Sequence, residues 1–131
     1  MQNKEFSEKW LEAFANTLSK EQTNKVGIGV DNGFLWHAFS FNLVSCLKGE
    51  AARQAYYRVD KSDAKQAFYE ICSENPVQYA ISDEEPITSD YSTASKIDES
   101  DKVEVYIIGK DFKWCYIRTH EILCGPYFCS R

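Results

Sequence analysis

Val103-Glu104-Val105-Tyr106-Ile107-Ile108 and Trp114-Cys115-Tyr116-Ile117-Arg118-Thr119-His120 flank the pentapeptide Gly109-Lys110-Asp111-Phe112-Lys113. Both runs are dense in β-branched and aromatic residues, and a glycine-led spacer of hairpin length separates them, so the stretch predicts a β-hairpin. In a pleated strand alternate side chains share a face, which sets Val103, Val105 and Ile107 together on the first strand. On the second, Cys115, Ile117 and Thr119 oppose Trp114, Tyr116, Arg118 and His120. Large side chains on both faces place the pair within a sheet, one side under helices and the other partly exposed.

Upstream, Phe6, Trp10, Phe14 and Leu18 recur every four residues with Leu11 beside them, which predicts an amphipathic helix over 4–22 with Asn3 as its N-cap. Gly27, Gly29 and Asp31-Asn32-Gly33 then read as a loop. Its glycine spacing misses both the dinucleotide fingerprint and the P-loop, and no helix pattern follows. Phe34-Leu35-Trp36-His37-Ala38-Phe39-Ser40-Phe41 reads as an aromatic strand. A short helix of good formers follows over 49–57. Residues 66–72 alternate well enough for another strand, with a continuing helix as the alternative. Ser73-Glu74-Asn75-Pro76 is a helix-start signal, predicting a short helix over 77–82. Residues 83–102 are acidic and polar, a surface excursion with a helix expected at 88–96. Strand and helix patterns do not alternate as βαβ units would. The expected class is therefore α+β, an antiparallel sheet of about four strands with helices mainly on one face and a C-terminal hairpin. The 131 residues are expected to form a single domain.

Composition excludes several functional classes. Three Trp, eight Tyr and eight Phe supply ample large side chains for one core. With 20 acidic against 15 basic residues the net charge is -5, which argues against nucleic acid and anionic membranes and favours a basic protein as partner. No apolar run approaches the roughly 20 residues that span a bilayer. The opening residues lack the pattern of a signal peptide, so a cytoplasmic location is expected. Five cysteines, an odd number without a C-x-x-C pair, read as free thiols.

Only two histidines are present, so any histidine chemistry must use His37 or His120. If their strands were neighbours, His37, His120 and Glu121 could meet as a metal site or an acid/base pair. No compact zinc spacing such as H-E-x-x-H occurs, and a structural histidine donating to a backbone carbonyl is the simpler reading. Cys115 and His120 point to opposite faces of their strand, which argues against a thiol–imidazole pair. The carboxylates of 83–101 lack the calcium-loop pattern and read as a solvated acidic face. Trp36, Trp114, Tyr116 and Tyr127 are default core residues whose exposure would instead make an interaction patch. No metal or cofactor is expected.

Phe34-Leu35-Trp36-His37-Ala38-Phe39-Ser40, Val105-Tyr106-Ile107-Ile108, Asp111-Phe112-Lys113-Trp114-Cys115-Tyr116, and Thr119-His120-Glu121 through Gly125-Pro126-Tyr127-Phe128 together resemble a family of small uncharacterised bacterial proteins, a domain of unknown function. The resemblance implies a bacterial source. It marks Trp36-His37 and Thr119-His120-Glu121 as defining positions without giving them roles.

Three functional readings follow. Charge and size favour a non-enzymatic module that offers its acidic segment, with Asp83, Glu84 and Glu85, or an aromatic patch to a basic protein, as immunity-type inhibitors of basic toxins do. The alternative is a small metal-dependent or acid/base hydrolase using His37, His120 and Glu121. A structural or regulatory subunit is a third.

Overall fold

A computed structural model of the chain describes residues 3–29, 34–59, 65–71, 78–82, 103–119 and 125–131. Helix α1 (Asn3–Phe14) turns its four-residue repeat of Phe6, Trp10 and Phe14 into the core. It stops eight residues short of the expected 22 because Ser19 starts a new helix, α2 (Lys20–Lys25). The Ser19 hydroxyl accepts from the Gln22 N–H at 3.2 Å, and the Gln22 side chain accepts from the Ser19 N–H at 2.8 Å. That reciprocal cap satisfies two orphan donors of a helix start and competes with continuation of α1.

The strand expected over 34–41 is a single helical turn, α3 (His37–Ser40). Leu35, Ala38 and Phe39 are buried while Phe41 is 56% exposed, a helical spacing rather than an alternation. Asn42, at φ 57°, ends the turn. Its N–H donates to Phe39 at 3.0 Å and that of Leu43 to Ala38 at 2.9 Å, the paired bonds that close a helix on a left-handed residue.

Strand β1 (Leu47–Lys48) leads through Gly49 into α4 (Glu50–Arg58), matching the expected helix. Then come β2 (Lys65–Ile71), the strand preferred for that stretch, and β3 (Gln78–Ser82), where a helix was expected. The proline-led start signal before it is outweighed by pairing with β2, a non-local term that local propensity cannot see. The closing hairpin is as expected: β4 (Val103–Gly109) and β5 (Trp114–Arg118) pair antiparallel from Val105↔Arg118 to Ile108↔Cys115. Strand β6 (Tyr127–Ser130) follows.

The architecture is α+β, with every strand pair antiparallel in the order β1-β6-β5-β4-β2-β3. On one face Tyr106, Ile108, Cys115, Ile117 and Tyr127 pack against α1 and α3. On the other, Val105, Ile107, Trp114, Tyr116 and Phe128 pack under Ala52 and Tyr56 of α4. The face expected to be partly exposed is therefore closed, most closely by the Tyr56–Tyr116 stack at 4.4 Å and 8°. Among the described residues no helix is long and apolar enough to cross a membrane.

Candidate functional site

His37 stands at the start of α3, half-buried, with its Nδ1 2.6 Å from the Val26 carbonyl just beyond α2. A carbonyl can only accept, so Nδ1 carries the proton and donates, and Nε2 is left as the basic nitrogen. Rings of Phe34, Trp36 and Phe41 surround the imidazole at 5.1, 4.4 and 5.3 Å. The sequence reading of His37 as a carbonyl-bound histidine matches this geometry. Its proposed companions, His120 and Glu121, lie outside the described residues, as do Asp83, Glu84 and Glu85 of the acidic segment and the helix expected at 88–96.

The four aromatic candidates are buried. Trp36 belongs to the core of the first face with Tyr127, and Trp114 and Tyr116 to that of the second. The amide of Trp36 donates to the Tyr106 hydroxyl at 3.4 Å, and Trp114 stacks on Phe128 at 5.8 Å and 18°. None of these rings forms an exposed interaction patch. An aromatic run beside a histidine reported packing here, since a sheet covered on both faces needs many large side chains.

Two features had no signal along the chain. Glu104 is fully buried, and Thr119 is nearly so. One step beyond the Val105↔Arg118 pair, these two oppose each other on the α1 face, at the end of the hairpin where the chain continues to His120 and Glu121. A carboxylate inside a strand reads as the solvent side of an alternation, so its burial was not legible.

The second feature is a group of thiols. Cys46, Cys115 and Cys129 are free and pack within or against the first-face core. Burial raises all three above the ordinary thiol range. Cys46 reaches about 11 despite the lowering effect of Lys48, and Cys115, wholly enclosed, lies well above. Protonated thiols are poor nucleophiles at neutral pH, so this cluster is not poised for thiolate catalysis. Among the described residues no three His, Cys, Asp or Glu side chains converge to hold a metal. An open depression between α1 and α2, lined by Leu11, Ala15, Leu18 and Thr23, brings none of the candidate groups together.

A family described as a domain of unknown function (DUF4275) matches residues 2–128. No curated protein and no solved structure matches the chain.

Proposed function

Because the chain belongs to the DUF4275 family, which carries no assigned activity, we propose a role from its own charge: a non-enzymatic module that binds a basic protein through residues 83–102. An immunity-type inhibitor of a basic toxin is the form that fits best. One observation carries the proposal. Asp83, Glu84, Glu85, Asp90, Asp98, Glu99 and Asp101 stand against only Lys96 and Lys102, so this segment alone holds the whole net charge of -5 and the rest of the chain is balanced. Charge gathered in one stretch makes a local field that speeds encounter with a basic surface and is sensitive to salt.

The test is affinity capture from the source lysate with the wild-type chain and with a variant whose seven carboxylates are amides, both checked for equal thermal stability. A basic protein held at low salt, released by added salt and missing from the neutral bait supports the reading. A partner held equally by both baits, or none on the wild type, overturns it.

The hydrolase reading draws support from one detail, the donation of Nδ1 that leaves Nε2 of His37 as a base. Stoichiometric zinc or iron in protein purified without added metal would favour it, with His37, His120 and Glu121 as the residues to vary.

A further inference from the structure

Three of the five cysteines fall in line across one end of the sheet, Cys115 and Cys129 on neighbouring strands and Cys46 directly before β1. Cys115 and Cys129 are register partners in β5 and β6. Strand β1 pairs with β6 as Lys48↔Tyr127 and Leu47↔Phe128, and the next step of that register sets Cys46 opposite Cys129.

The hydrogen-bond phase separates the two pairs. The Gly49 N–H donates to the Pro126 carbonyl at 2.9 Å, which makes Gly49 and Pro126 a hydrogen-bonded pair. Bonded and non-bonded pairs alternate in an antiparallel ladder, so Cys46 and Cys129 occupy a non-bonded one. On the other side the Arg131 N–H donates to the Lys113 carbonyl at 2.9 Å, and the same alternation puts Cys115 and Cys129 in a bonded pair. Non-bonded positions bring side chains closer, with Cα atoms about 4.5 Å apart, within the range of disulfides. Orientation agrees. The Cys129 Sγ lies 3.8 Å from the carbonyl of Ser45, the neighbour of Cys46, and so points toward the β1 side. Cys46 and Cys129 are also half-exposed, whereas Cys115 is sealed in.

We propose that Cys46 and Cys129 are a redox modification site, forming a reversible cross-strand disulfide that staples β1 to β6 and leaves Cys115 reduced. The reaction is exchange with a low-molecular-weight disulfide of the glutathione class. The two protein thiols lose two electrons and two protons, one S–S bond forms between Cys46 and Cys129, and the external S–S bond breaks to leave two thiols. The bond would act on a weak point of the fold. Strand β1 is two residues long and runs through Gly49 directly into α4, whose Tyr56 covers the second face of the sheet. Oxidation fixes that entry, and reduction releases it.

The experiment equilibrates the folded wild-type chain with rising ratios of oxidised to reduced glutathione at mildly alkaline pH, blocks remaining thiols, digests with trypsin and fragments the products. The expected result is loss of two thiols per chain and one linked species, residues 26–48 joined to 119–131 through Cys129 rather than Cys124, reversed by reductant. The Cys46→Ser variant should lose it and the Cys115→Ser variant keep it. Amide exchange at β1 and the first turn of α4 should slow at least several-fold in the oxidised form. Linkage of Cys115 to Cys129, glutathione adducts without a cross-link, or a 46–129 link that appears only in urea would each overturn the proposal.

Discussion

Replacing Gly109 by alanine tests the packing of the second sheet face at one atom. Gly109 ends β4 at φ -75° and ψ 167°, an extended conformation that alanine adopts freely, so the backbone carries no penalty. The space is the obstacle. A Cβ there would stand 2.2 Å from Trp114 Nε1 and 2.5 Å from its Cε2, against ordinary heavy-atom contacts of about 3.5–4.0 Å. The indole has little room to retreat, since it is buried between Phe128, stacked at 5.8 Å, and Tyr56 at 6.0 Å. Overpacking of a tight core costs about 1–3 kcal/mol, and complete loss of a buried tryptophan about 3–5 kcal/mol. Gly109→Ala is therefore expected to destabilise by about 2–4 kcal/mol. Urea unfolding of Gly109→Ala, Trp114→Ala and the double variant reads this as a cycle. With the indole gone, the added methyl should cost nothing or stabilise by up to about 1 kcal/mol, because glycine is intrinsically unfavourable within a strand. An equal cost in both backgrounds would refute the clash, and a cost below about 1 kcal/mol in the wild type would refute the tightness of the face.

At the end of α3, Asn42→Gly should leave stability within about 0.5 kcal/mol while Asn42→Ala loses about 1 kcal/mol, since alanine pays for a left-handed φ that glycine does not; thermal unfolding of both variants checks it. Because burial lifts the folded Cys46 thiol to about 11 from 9.0, the unfolded chain ionises first, and the stability this thiol contributes is intact below pH 9 and lost as pH rises toward 11. Unfolding across that window should be flatter for Cys46→Ala than for the wild type. The bond from His37 Nδ1 to Val26 predicts that Asn, whose amide lies near the Nδ1 position, holds stability better than Gln, with His37→Gln losing about 1–2 kcal/mol in urea unfolding.

How much of the fold could be read from the residues depended on whether one period was available or two. Phe6, Trp10 and Phe14 fit a helix only, and the hairpin runs fit a strand only, so α1, β4 and β5 emerge from pattern alone. Residues 34–41 satisfy both periods. Leu35 and Phe39 belong to either, and the decision falls to Asn42, whose left-handed conformation closes the turn and leaves Phe41 outside. The far end of the first helix failed differently. Leu18 continues the apolar repeat, but Ser19 and Gln22 carry a capping box three residues apart that was readable and outweighs it. Strand β3 was the least accessible, because the term that decides it is its ladder with β2, from Ala67↔Ser82 to Ile71↔Gln78.

The chemistry was harder to read for a related reason: spacing along the chain is informative only where the site lies on one element. Positions 46, 115 and 129 share no motif, and they become neighbours only through two strand registers. Position within the sheet then decides what such a contact can do. Strands β5 and β6 are interior to the sheet and bury side chains on both faces, so a further bond between them would constrain what is already fixed. Strand β1 has one neighbour, two residues and an exposed Leu47, and short edge strands draw little stability from their own pairing. A single covalent link has its greatest leverage there, where the least free energy holds the chain and where movement passes directly into the helix that closes the second face.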